Sequence, residues 1–233
     1  SLPLRLQKHF SGPGQGIEGI RKYLGTDRSR RPHIGTIVKP KVGLNPKEFA
    51  HVAYEAYTGG VDFVKDDENL VNQSFCRWYD RVNAMLEVID RVKDEGRRVM
   101  YAPNITAGYT QMLERIDYLH SSGHHVAMLD VYIIGFGALG DVLRELHTKN
   151  FIVHAHRAGH TAETRGVFGC EFAVMAKLWR LLGVDQMHTG AGVGKMEGAP
   201  ALIRRYGRIV KEQHGEEAMH LLSLEFQWAE HIK

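Results

Sequence analysis

Residues 61–69 read Val61-Asp62-Phe63-Val64-Lys65-Asp66-Asp67-Glu68-Asn69, a short β-rich apolar run that ends abruptly in charge. A helical pattern follows, from about Gln73 to Asp94. The same strand-then-helix unit recurs on both sides. Upstream, His33-Ile34-Gly35-Thr36-Ile37-Val38-Lys39-Pro40-Lys41 precedes a helix in which Asn45 is the expected N-cap and Pro46 the first helical residue. Downstream, β-type runs at 97–108, 125–131, 150–160 and 184–195 lead into helical patterns. These run through Leu119, over 138–148, over 171–182 and over 199–213, and a last helix is predicted over 216–232.

Each run ends in a polar residue: Lys39, Glu68, Asn104, Asp130, His156 and His188. The intervals are 29, 36, 26, 26 and 32 residues, close to one βα unit of a (β/α)8 barrel. A doubly wound sheet gathers its site at one switch point and carries GxGxxG after its first strand. Here no GxGxxG follows the first strand, and polar residues close every strand. The expected fold is therefore an α/β TIM barrel with about six of its eight βα units in this chain. Residues 1–32 form a lead-in that contains a short amphipathic helix around 17–24, and residues 33–233 a partial barrel of strands 1 to 6. Two more units need roughly 60 residues. The chain thus reads as a fragment of a longer protein, expected to aggregate through open strand edges when alone.

Composition narrows the function. A net charge of +3, with no block of five or six basic residues, excludes a nucleic-acid surface. No apolar run is long enough to cross a bilayer, and the first ten residues lack the apolar core of a signal peptide. Cys76 and Cys170 are far apart in the sequence, which argues against a disulfide scaffold and for a cytoplasmic location.

Chemistry concentrates at the strand ends. Lys65 and Asp67 share a strand face, and Glu68 joins them if the chain leaves strand geometry there. The two carboxylates are hard oxygen ligands suited to Mg2+, which an adjacent ammonium opposes. The conflict disappears if the neutral Lys65 amine takes up CO2 as a carbamate. Both carboxylates should raise the pKa of Lys65, so that uptake is slow at neutral pH. Charge runs are usually solvated turns, but this one closes a run containing Val61, Phe63 and Val64. His154, His156, Arg157 and His160 follow the apolar Phe151-Ile152-Val153. They suit zinc, or acid–base work with a cation for phosphate. An HxH placed after the lysine reverses the order found in carbamate-dependent amidohydrolases. The stretch from His188 through Gly190, Gly192 and Gly194 to Lys195 describes a loop that carries a cation over a ligand, and Met196 breaks the P-loop pattern.

Four segments together resemble the large subunit of ribulose-1,5-bisphosphate carboxylase/oxygenase (RuBisCO). They are residues 35–41 (Gly-Thr-Ile-Val-Lys-Pro-Lys), 62–69, 154–160 (His-Ala-His-Arg-Ala-Gly-His), and His188-Thr189-Gly190 leading to Gly194-Lys195-Met196-Glu197-Gly198. The wording of the last two is similar to archaeal form III and form II/III members. The resemblance implies a carbon–carbon lyase that enolises ribulose 1,5-bisphosphate and adds CO2 or O2, carboxylation giving two 3-phosphoglycerate. It implies Lys65 as the carbamate, with Asp67 and Glu68 as the other Mg2+ ligands. Lys39 and Lys41 would handle protons, as would His156. Arg157 and His188 would hold a phosphate, His160 would lie near the substrate hydroxyls, and Lys195 would close over CO2. It further implies a homodimer or higher homo-oligomer. Two alternatives stand beside it: a RuBisCO-like enolase or isomerase, and an inactive truncated barrel.

Overall fold

The computed structural model describes residues 3–190, 200–211 and 222–225. Seven strands occur among them: β1 (Gly35–Ile37), β2 (Phe63–Lys65), β3 (Met100–Ala102), β4 (Val126–Asp130), β5 (Ile152–His156), β6 (Gln186–Gly190) and β7 (Leu222–Glu225). All pair in parallel and in chain order, as a three-stranded sheet β1-β2-β3 and a four-stranded sheet β4-β5-β6-β7. A parallel bridge between Asn104 and Met128 joins the two sheets, with the Met128 amide donating to the Pro103 carbonyl at 2.8 Å. Among the described residues no ladder joins β7 to β1.

The seventh strand corrects the count of six and replaces residues 222–225 of the helix expected over 216–232, the rest of which lies outside the described residues. Residues 222–225 read Leu-Ser-Leu-Glu, an alternation that also fits a strand. Pairing Gln186 with Leu222 and His188 with Leu224 satisfies the backbone of β6, which outweighs local helix propensity.

The helices that follow the strands cover one face of them, while a helix that precedes them packs against the other. α1 (Leu4–Gln7) and α2 (Gly16–Leu24) precede the first strand. α3 (Pro46–Thr58), α4 (Trp78–Asp94), α5 (Tyr109–Ser121) and α6 (Val131–Thr148) follow the first four strands. The short α7 (His160–Thr164) and then α8 (Phe172–Leu182) follow β5, and α9 (Pro200–Lys211) follows β6. α3 starts where expected: the Asn45 side chain accepts from the amides of Lys47 and Glu48, Glu48 accepts from the Asn45 amide, and Pro46 needs no partner. α6 begins directly at β4, seven residues before the expected start, and kinks at Gly135, whose φ of 71° an L side chain resists.

Alternate strand residues face opposite ways. Val64, Tyr101, Leu129 and Val153 join the helices in the larger core, with Trp78 and Trp179 among its biggest members. Phe63, Met100, Ala102, Val126, Met128 and Ile152 form a second core on the inner face, packed against Ile20 and Leu24 of α2. Asp185, at the start of β6, fixes the entry of α2. Its Oδ1 accepts from the amides of Gln15 and Gly16 at 2.6 and 2.8 Å, and its Oδ2 from Val153 at 2.8 Å.

Candidate active site

Above the apolar inner core, the same strand faces carry Lys65, Asp67, Asn104, Asp130, His154, His156 and His188. Parallel strands place all their carboxyl ends at one rim. Glu68 and His156, 88 positions apart, accordingly meet with Oε2 and Nε2 at 3.6 Å.

Lys65 is fully buried, and its Nζ donates to the Asp66 carbonyl at 2.9 Å. Burial pulls its pKa down to about 8 against the opposing pull of Glu68, Asp67, Asp130 and Asp66. This overturns the expected raised value: the neighbours are as anticipated, but the cost of holding a charge away from water exceeds their attraction. Asp67 pairs with Lys39 and accepts from the Asn69 amide at 3.0 Å. Burial pushes its carboxyl up, but the Lys39 ammonium and the Asn69 amide together leave it below the usual range. Lys41 is exposed.

The residue between these two faces the other way. Asp66 accepts from Arg81 Nη2 at 3.0 Å, Arg81 Nε at 3.2 Å, the Tyr101 hydroxyl at 2.7 Å and the Asn104 amide at 2.9 Å. Arg81 and Asp66 are both wholly buried, and Arg81 also donates to the carbonyls of Leu70 and Cys76. This cluster holds the peptide between Lys65 and Asp67. The sequence hid it, because Asp66 reads as one more member of a charge run.

His156 is neutral: burial and the Lys65 charge push its pKa well below the ordinary histidine value. Its Nδ1 accepts from the Ala158 amide at 3.1 Å, which leaves the proton on Nε2, toward Glu68. Asp130 Oδ1 lies 3.4 Å from the same Nδ1. Burial raises the Asp130 carboxyl to about 7, although the Asn104 amide, at 3.2 Å, and Lys65 both lower it. Asp130 was visible as a strand-end residue after Val126-Ala127-Met128-Leu129, but nothing in the sequence pairs it with His156.

Arg157 donates from Nη1 to the Thr189 carbonyl at 3.2 Å, and its guanidinium lies 5.1 Å from the centre of the Phe172 ring. Its Nε and Nη2 are buried without a protein partner. Gly190 permits this approach. At φ 132° a Cβ would meet Ile203 Cδ1 at 2.3 Å and Arg157 Nη2 at 3.3 Å. The His188 ring stands between His154 and His156, with centroids 4.7 and 5.6 Å away. His160 Nδ1 is 3.2 Å from the Arg157 carbonyl, and burial first, then Arg157, pulls its pKa down to about 4. Lys195 lies outside the described residues.

The arrangement is that of a parallel βα enzyme whose carboxylates, cations and neutral imidazoles converge on the strand ends. Residues 16–231 match the family model for the ribulose bisphosphate carboxylase large chain, catalytic domain, and the chain belongs to that family. It is 50% identical over 205 residues to the ribulose bisphosphate carboxylase of Methanocaldococcus jannaschii, covering 87% of this chain and 47% of that protein. It superposes with a TM-score of 0.89 at 35% identity on the octameric enzyme of Pyrococcus horikoshii, covering 96% of this chain and 53% of that one. A rubisco-like protein from Burkholderia fungorum gives the same TM-score at 32% identity, covering 97% and 56%. The chain spans about half the length of the relatives it matches. Among the described residues no helix is long and apolar enough to cross a membrane.

Proposed function

We propose that this chain supplies the metal site and most of the catalytic groups of a ribulose-1,5-bisphosphate carboxylase/oxygenase that acts as a homo-oligomer in the cytoplasm. The observation that carries the reading is Lys65: a fully buried amine whose pKa falls to about 8, set beside two carboxylates. Once the ammonium has lost a proton, the neutral amine attacks CO2, forming an N–C bond while one C–O π pair moves onto oxygen, and a second proton leaves the nitrogen to give the carbamate. Among the described residues no three His, Cys, Asp or Glu side chains form a metal set. As the family resemblance implies, a Lys65 carbamate would supply the third oxygen donor and complete with Asp67 and Glu68 a hard-oxygen set that fits Mg2+. Held by these three residues, a bound metal would supply charge stabilisation for an enediolate formed beside the substrate carbonyl.

The remaining residues bind and move protons. Lys39 reaches the site through Asp67, and Lys41 lies two residues further along. We assign both to proton handling with His156, whose Nε2 carries a proton over Glu68. The unpartnered Nε and Nη2 of Arg157 suit a phosphate, with His188 beside it and His160 toward the hydroxyls. Lys195 is assigned to closure over CO2.

Two measurements test this. The protein incubated with 13C-bicarbonate and Mg2+ should show one carbamate carbon that Lys65→Met lacks. With ribulose bisphosphate it should form two 3-phosphoglycerate per turnover. Carbamate without carboxylation would favour the rubisco-like reading, whose fold the Burkholderia protein shares. The absence of both would leave an inactive barrel.

A further inference from the structure

One layer below His156 and His188, on the same inner face, His154 of β5 pairs in register with Gln186 of β6. Both side chains are fully buried. Neither ring nitrogen of His154, and neither the oxygen nor the nitrogen of the Gln186 amide, has a hydrogen-bond partner. Four orphaned polar atoms on adjacent strands are unusual, because each costs roughly 1–3 kcal/mol when left dry.

The chemistry of the pair defines what would satisfy these atoms. His154 is neutral, since burial and the Lys65 charge both oppose its protonation. It therefore offers one donor and one acceptor, while the amide offers two donors and a carbonyl. The neighbours are apolar or uncharged: Phe63, whose ring centre is 5.2 Å from that of His154, Met128, its register partner on β4, and the His188 ring. Full burial disfavours a charged ligand at this level. A neutral ligand that both donates and accepts, as water does, satisfies these atoms.

We propose that His154 and Gln186 form a deep hydration site, holding ordered water in the barrel interior beneath the histidines of the mouth. Water bonded there selects one tautomer of His154. It thereby fixes the ring that His154 presents edge-on to His188.

A crystal structure of the protein beyond 2 Å resolution tests the site directly. Density is expected within about 3.2 Å of one nitrogen of His154 and one amide atom of Gln186. An empty gap there, or a direct His154–Gln186 hydrogen bond, overturns the proposal. Thermal unfolding of Gln186→Leu, His154→Phe and the double variant gives an independent reading. Each single change strands a water and should lower Tm by roughly 2–6 °C. The double variant, which removes the need for water, should lose less than the sum of the two. A single variant with an unchanged or raised Tm means the pair is dry and overturns the proposal. If a variant fails to fold, the crystallographic result decides.

Discussion

At the scale of single residues, the chemistry turns on the proton of Lys65. A pKa of about 8 means that the neutral fraction grows about tenfold per pH unit below 8 and flattens above it. The rate of 13C-carbamate formation at fixed dissolved CO2 should follow that curve, and a midpoint near 10.5 would show the amine to be solvated. Lys65→Arg should remain folded, form no carbamate and retain almost no carboxylation, because guanidinium stays charged. The positions of Lys39, Lys65, Asp67, Glu68, His156, Arg157 and His188 were legible because each closes an apolar run or stands beside a residue that does. The sign of the Lys65 shift was not. A sequence names the charges near a lysine but not how much water has been removed from it. The partners of Asp66 were hidden for the same reason: Arg81 and Tyr101 reach it only once the helix and the neighbouring strand are in place.

At the scale of elements, two contacts hold the site in position. The first is the Asp66–Arg81 pair that binds α4 to the end of β2. Arg81→Met leaves a buried carboxylate without its cation and should cost roughly 3–5 kcal/mol in urea denaturation. A loss below about 1 kcal/mol would mean that Tyr101 and the Asn104 amide suffice. The second is the box that starts α3. Asn45→Ala should cost about 1 kcal/mol and leave carbamate formation unchanged, since the box lies on an exposed turn. The strand–helix alternation that produced these elements was readable from the 30-residue rhythm. The exception was β7, whose four residues sit inside a stretch with acceptable helix propensity and become a strand only because β6 offers a ladder. Element starts moved for a related reason. α6 begins at Val131 because the β4 chain turns at once into a helix that Gly135 then bends.

At the scale of the whole molecule, buried histidines set the response to acid. His124 is held to about 4 by burial, and His154, His160 and His188 are also lowered. A histidine depressed in the folded state costs nothing above the unfolded value of about 6.5. Below it, the unfolded chain takes up protons that the folded chain refuses, and stability falls until the folded pKa is reached. For His124 alone that loss is roughly 3 kcal/mol between pH 6.5 and 4. Asp130 and Asp185, both raised by burial, act in the opposite sense and gain as pH falls. The histidines outnumber them, so the urea midpoint should drop steeply from pH 6.5 to 5. A flat profile over that window would show these rings to be hydrated in solution.

The anchoring of α2 carries a consequence for the birth of the chain. Gln15 and Gly16 wait for the carboxylate of Asp185, 170 residues later, before their amides are satisfied. At ribosomal speeds of about 5–20 residues per second, that interval is on the order of 10–30 s. For most of it Ile20 and Leu24 have no finished inner face to enter, since Val126, Met128 and Ile152 are made only in its second half. Helix α2 is therefore translated well before the strands it packs on and docks only after they are made. The nascent polypeptide shows the cell an apolar stripe for tens of seconds, and a chaperone that masks this one helix guards the whole assembly.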